Sequence, residues 1–297
     1  MTRFIQALVI GLGLASIYAL LALGFTIIYK SMRVVSFAQP GLMILGAYFV
    51  IYLGTVVDMN FWFALPLAML LTALAGLVIE RLAIRPMIGK PVFAIAMITI
   101  GIDIVLRVVV NDALGSDVRS VGAPWGLRTI DLGGVSIQHR RIAMVVFALV
   151  VVAILFAFFK YTRLGLAMRA TAFDQEAALA QGVSVGAVFA LSWAIAGALA
   201  ALAGMFVGTG AGIDQGSAFV ALKALPAVIL GGLDSIQGAI VGALIIGIFE
   251  GLSVTYQGQY LSFLGGNFSQ VVPYLVMLVV LLVRPYGLFG TPEVERV

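Results

Sequence analysis

Long apolar runs recur along this chain, and no other feature narrows its fold so far. They cover Phe4 to Tyr29, Gly41 to Val57, Phe61 to Ile79, Val92 to Val110, Ile142 to Phe159, Gly186 to Val207, Phe219 to Leu230, Gly238 to Val254 and Val271 to Val283. A helix needs about 17 to 25 such residues to cross roughly 30 Å of hydrocarbon, and most of these runs reach or approach that length. Inside a bilayer the backbone has no water to bond, so each run must satisfy its own hydrogen bonds as a helix. Hydrophobic residues make up 63% of the chain and charged ones 10%, against roughly 25% charged in soluble domains. The expected fold is an all-α, polytopic transmembrane bundle, with residues 1–297 as one domain of about eight full spans plus one short or broken helix. The short element is the run at 219–230, which extends only about 18 Å at 1.5 Å per residue. The GGLDS break that follows it must be buried in protein or line a cavity.

Composition removes several classes of chemistry. There is no Cys and a single His, His139, so neither thiolate nor clustered imidazole metal sites are expected. Lys30 and Ser31 follow Tyr29, and Gly89 and Lys90 are followed by Pro91, so no phosphate-cradling Gly-x-x-x-x-Gly-Lys-Ser/Thr loop exists. Neither His-Glu-x-x-His nor Gly-x-Ser-x-Gly occurs, and the chain is not expected to be an enzyme or to bind a cofactor. If transport needs ATP, another chain must bind it. The net charge of +4 is no nucleic-acid signal, because the basic residues lie at the ends of apolar runs, as the positive-inside rule predicts. The first run is too long for a signal-peptide core and is expected to be retained as a span.

Lys and Arg also predict orientation. Loops holding Lys30 and Arg33, then Arg81, Arg85 and Lys90, then Lys160, Arg163 and Arg169, and finally Arg284 and Arg296 are all cytoplasmic if the amino terminus lies outside. The loop at 111–141 is then external, although it carries Arg119, Arg128, Arg140 and Arg141 beside Asp112, Asp117 and Asp131. For the last basic loop to be internal, the short run must count as a crossing.

Polar residues within the runs are costly in lipid and must face protein or water. Asp103 has Thr99 and Arg107 four residues to either side, all on one helix face; it forms a neutralising pair with Arg107 or lines a pathway. Glu250 is either interfacial or placed to attract a substrate ammonium group. Ser36, Gln39 and Pro40 occupy a polar break and are the leading pathway candidates. Residues 24–54 and 222–251 repeat one pattern of apolar run, polar break and Gly-spaced run, and paired interrupted helices point to a transport site near the midplane. The pairs Gly204 and Gly208, Gly238 and Gly242, and Gly247 and Gly251 read as close-packing faces.

Between two long runs, residues 168–182 form a polar stretch of good helix formers. Thr171 is a possible N-cap, Asp174 and Glu176 suit the positive helix start, and Gly182 is a stop. Such a helix is either a docking surface for another protein or a solvated loop.

Six ordered blocks carry a resemblance: GLGLASIYALLALGFTIIY at 11–29, SFAQPGLMILGAY at 36–48, ERLAIRPM at 80–87, TRLGLAMRATAFDQEAALAQGVSV at 162–185, LKALPAVILGGLDSIQGAIVGALIIG at 222–247 and RPYGLFG at 284–290. Over essentially its whole length the chain resembles the membrane permeases of bacterial branched-chain amino acid ABC importers, the LivH type. The resemblance implies a bacterial inner-membrane permease whose residues 168–182 are a cytoplasmic coupling helix, with Arg169, Thr171, Asp174 and Glu176 as its polar contacts. It also implies two ATPase subunits that use ATP, a second related permease subunit or second copy, and an extracytoplasmic substrate-binding protein. The second block departs from the NFAHG usual in relatives, with Ser36, Gln39 and Pro40 in place of Asn, His and Gly, which bears on the substrate. Urea, short amides and small aromatic carboxylates are the alternative solutes; an ATP-independent channel or secondary transporter is the alternative of another class.

Overall fold

A computed structural model describes residues 2–114, 122–126, 128–132, 134–210, 212–260 and 265–291. Asp117, Arg119 and Arg296 lie outside the described residues.

All nine apolar runs become helical. The first is α1 (Thr2–Met32), which stands at the centre and is buried almost continuously from Ala15 to Ile28. A helix apolar all round belongs inside a bundle. Around it lie α2 (Gln39–Thr55), α3 (Phe61–Ile79), α4 (Val92–Leu114) and α5 (His139–Tyr161). Two short helices follow, α6 (Arg163–Phe173) and α7 (Gln175–Ala180), then α8 (Val185–Gly208), α9 (Ala218–Leu222), α10 (Ala224–Gly231), α11 (Ile236–Tyr260) and α12 (Val272–Val283). Helix α3 runs on through a π turn at Glu80–Ile84 and a 3-10 turn at Arg85–Met87.

Among the described residues six helices are long and apolar enough to cross a membrane by length and composition, and three shorter apolar ones, Gln39–Thr55, Ala218–Gly231 and Val272–Val283, account for the remaining runs. Each short helix has a visible boundary. Helix α2 starts only after an irregular stretch at 33–38, the run at 218–231 breaks at Lys223, and α12 begins after a 3-10 turn at Phe268–Gln270. The chain is not wholly helical, because β1 (Thr129–Leu132) and β2 (Val135–Gln138) pair antiparallel in the 111–141 loop. Gly134, at φ 84°, makes their tight turn.

Side chains fix which helix ends lie together. At one end Arg3 donates to Gln259 at 2.7 Å, Thr2 sits beside Gly134, and Arg140 donates to the Phe206 carbonyl at 2.8 Å. This end gathers the start of α1, the hairpin, the start of α5 and the ends of α8 and α11. At the other, Lys30, Lys160, Asp234 and Thr291 line one recess, and Arg85 donates to the Gly186 carbonyl at 2.8 Å. The 218–231 run joins the two ends: it follows the end of α8, and its last carbonyls, Leu230 and Gly231, accept from Leu288 and Phe289 beyond α12. Arg284 therefore shares an end with the other basic loops.

Glycine brings α1 and α11 into backbone contact. A Cβ on Gly247 would lie 2.5 Å from the Ala15 nitrogen, and one on Gly251 would lie 2.5 Å from the Gly11 Cα. Apolar lipid provides no drive for helices to associate, so close van der Waals approach of this kind holds them together. Gly247→Ala is expected to destabilise the protein by about 1–3 kcal/mol through overpacking against backbone. Gly258→Ala, on the same helix with open space around it, should be neutral or gain up to about 1 kcal/mol. Thermal unfolding in detergent measures both, and equal behaviour of the two variants would refute the backbone contact.

Candidate functional site

Helix α2 begins inside the bundle. Its first residue, Gln39, is completely buried, lies against Gly24 of α1, and donates through Nε2 to the Ala196 carbonyl halfway along α8 at 3.4 Å. Pro40 follows in the first turn, where its missing N–H costs nothing. The irregular stretch before it is held from α4 and from within: Phe37 N–H donates to Thr99 Oγ1 at 3.0 Å, and Ala38 N–H donates to Ser36 Oγ at 3.3 Å. One turn along α4 from Thr99, Asp103 Oδ2 pairs with Arg107 at 2.6 Å. A Cβ on Gly41 would lie 3.1 Å from Asp103 Oδ1, so the carboxylate stands at the positive start of α2. Ser36, Gln39 and Pro40 thus gather at the start of α2, with Gln39 turned to α1 and α8 and with Thr99 and Asp103 on the α4 side. Gln39 Oε1 is buried there with no hydrogen-bond partner, and Asp103 Oδ1 is buried beside the Gly41 backbone.

Glu250 belongs to a second cluster. It is neither interfacial nor free to take a substrate ammonium group: only 3% exposed, it accepts from Tyr18 Oη at 2.5 Å and pairs with Lys223 Nζ at 2.7 Å. The physical reason is that α11 continues well past Val254, leaving Glu250 deep in the bundle opposite the α9–α10 junction. Lys223 and Tyr18 were missed in the sequence. The available signal was complementarity, since Lys223 is the lone charge in 215–233 and Glu250 the lone acid in 235–292.

The stretch at 168–182 folds as parts of two helices, not one. Thr162 caps α6, its Oγ1 accepting from Gly165 N–H at 2.9 Å. Thr171 is no N-cap; it is buried inside α6, and its hydroxyl has no partner. Asp174 takes the capping role, with φ −152° and Oδ1 accepting from Glu176 and Ala177 N–H at 2.9 and 3.0 Å. Helix formers from Arg163 onward start the first helix early, and Asp174, a strong capping residue, starts the second. Gly182, at φ 82°, ends α7 with the paired bonds Gly182 N–H to Leu179 O and Val183 N–H to Ala178 O. Two cross-links tie the elbow to the bundle: Arg33 donates to the Ala172 carbonyl at 3.1 Å, and Gln175 donates to the Ser31 carbonyl at 2.9 Å. Arg169, Asp174 and Glu176 are exposed, as are the apolar Leu164, Leu166, Leu179 and, at 92%, Phe173. Glu80 and Arg85 form a pair at 3.0 Å that fastens the π turn to α8. Among the described residues no group of three His, Cys, Asp or Glu could hold a metal.

Residues 7–281 match the model of a family described as the permease component of branched-chain amino acid transport systems. The chain belongs to that family. It is 33% identical to the high-affinity branched-chain amino acid transport system permease protein BraD of Pseudomonas aeruginosa, over 99% of this chain and 98% of that one. It is 32% identical to the LivH permease protein of the corresponding system of Salmonella typhimurium, with the same coverage. Among solved structures it is similar to PsaBC from Streptococcus pneumoniae in complex with Fab, at 16% identity and a TM-score of 0.48, covering 96% of this chain and 91% of that one. The protein is a multi-pass membrane permease of a transport system.

The buried pair yields a test. Removing one member leaves an uncompensated charge and should cost the permease about 3–5 kcal/mol. Lys223→Met and Glu250→Met are each expected to lower the unfolding temperature sharply, while the double variant loses much less than their sum. Strict additivity in this cycle would show that the pair carries no coupling.

Proposed function

We propose that this permease is the membrane-spanning subunit of an ATP-driven importer for branched-chain or other hydrophobic amino acids in the bacterial cell membrane. It works with two ATPase subunits, a second related permease or a second copy of itself, and an extracytoplasmic binding protein that captures the solute. The carrying observation is the α6–α7 elbow: two capped helices, cross-linked to the bundle, that turn apolar side chains outward. Phe173, at 92% exposure, has no packing role within this chain. A groove on an ATPase subunit supplies one.

In this reading ATP binding in the partner chains moves the elbow, and the bundle alternates between outward- and inward-open states. A ligand or motor shifts such an equilibrium only through differential binding to the two states, and capture by the binding protein allows the membrane site to be weak. The site is the buried start of α2, where the unused acceptor Gln39 Oε1 and the nearby Asp103 carboxylate suit a solute ammonium group.

Phe173→Asp removes an exposed apolar anchor and should weaken ATPase retention about tenfold or more, the loss typical of an interface hot spot. Glu176→Lys should leave expression intact while separating ATP hydrolysis from uptake. Asp174→Asn keeps the cap and tests the charge alone. The assay is ATP-dependent uptake of leucine, isoleucine and valine by the assembled transporter in proteoliposomes, beside substrate-stimulated ATP hydrolysis. Normal coupling in Phe173→Asp and Glu176→Lys would refute the elbow's role, and solute flux through this chain alone without ATP would refute the importer.

A further inference from the structure

At the end of the bundle holding the basic loops, a recess of about 480 Å³ opens between the ends of α1 and α5, helix α6, the start of α11 and the segment after α12. Three cations line it: Lys30 in the last turn of α1, Lys160 in the last turn of α5, and Arg169 on α6. Asp234 is the one acid in its lining, and its carboxylate already accepts from the Thr291 hydroxyl. Among the described residues none of the three cations takes part in an ion pair or donates to a protein acceptor, although Lys30 feels the charges of Asp234, Arg33 and Arg169. Lys160 lies 5.2 Å from the Tyr161 ring centroid. Ser235 caps α11 through Gly238 N–H at 3.0 Å and lines the recess with Ile236 and Gln237, so the positive start of a long helix faces the same space.

The rest of the wall is apolar: Ile27, Phe156, Phe159 and Met168. Below it α5 turns Leu149, Val150 and Ile154 outward, each at least half exposed. A ligand that fits both surfaces is amphipathic, with a phosphate among the cations and hydrocarbon along α5. We propose that this recess binds a phosphate-bearing anion, and that in the membrane the anion is the headgroup of an acidic phospholipid. Three cations facing a single acid in a partly enclosed space repel one another, and a phosphate relieves that repulsion while taking several charge-assisted hydrogen bonds. Basic pockets between spans at a membrane surface are suited to such headgroups. The inference does not depend on which solute the transporter carries.

Native mass spectrometry of the purified full-length chain tests it, with phosphatidylglycerol or phosphatidylcholine of identical acyl chains added. Phosphatidylglycerol should be retained about tenfold better at low salt. The Lys30→Gln/Lys160→Gln variant should lose that preference, and Lys30→Arg/Lys160→Arg should keep it, which separates lost charge from lost folding. Glycerol 3-phosphate is the soluble arm. If it raises the unfolding temperature in a Lys30- and Lys160-dependent manner while the lipids are retained equally, the anion is a free phosphate and the site stands. Equal retention of both lipids with no phosphate effect would overturn the site. So would loss of ATPase co-purification in the Gln variant with lipid preference unchanged, because the recess would then be a protein contact.

Discussion

The last carbonyls of a helix have no partner within it, and in this chain several are met by groups from other elements. Where α1 ends, the Ser31 carbonyl accepts from Gln175; where α6 ends, Ala172 accepts from Arg33. At the end of α8, Phe206 accepts from Arg140, and at the end of α10, Leu230 and Gly231 accept from the backbone beyond α12. Each partner comes from a different element. The hydrogen bonds that finish one helix are therefore the ones that fasten it to its neighbour.

The same accounting divides the buried polar groups by what they have left to offer. Glu250 has both oxygens committed, to Tyr18 and Lys223, so bringing another cation there means breaking a dry ion pair. At the start of α2 the situation is reversed. Gln39 donates one bond and leaves Oε1 unused, and Asp103 pairs through Oδ2 with a half-exposed Arg107. A buried acceptor without a donor carries a desolvation cost that a suitable ligand removes. The two interrupted regions thus differ in kind: one is sealed by its own charges, the other holds spare capacity.

Much of this architecture was legible because the bilayer reduces span recognition to length and polarity, and all nine runs appear as helices. What escaped depends on tertiary geometry. The depth at which α2 starts is one such feature, set by Gln39 against Gly24 and Ala196. The π turn at Glu80–Ile84 is accompanied by Arg85 reaching both Glu80 and Gly186, the latter 101 residues away in sequence. Thr171 and Asp174 are both acceptable caps in isolation; which one serves was decided by where α6 begins, at Thr162. The gathering of Ser36, Gln39 and Pro40 at the start of α2 was readable, since they interrupt apolar surroundings; the position of Asp103 on its α4 side was not. The pairing of Glu250 with Lys223 was hidden by reading each charge on its own run.

The elbow at Asp174 and the buried start of α2 are joined by one short piece of chain. Arg33 and Gln175 hold the elbow from both sides of Asp174, and each bond lands on or next to the end of α1. From Arg33 only the irregular stretch to Ala38 separates that anchor from Gln39. Arg33 itself adopts φ 57°, a conformation that costs a non-glycine residue free energy and persists only where its surroundings enforce it. Its bond to Ala172 is one such restraint. In the proposed importer, a movement of the elbow would pull on Arg33 and through it on the stretch whose amides are held by Thr99 and Ser36. Coupling of this kind requires a contiguous element with two arrangements that both sites bias. Residues 33–38 meet the first half of that requirement: they touch the proposed ATPase-facing surface at one end and the unpartnered Gln39 acceptor at the other. In the proposed importer, the motion need not cross the core of the bundle at all, because the rigid α1–α11 contact can stay fixed while this single stretch carries the change to the solute.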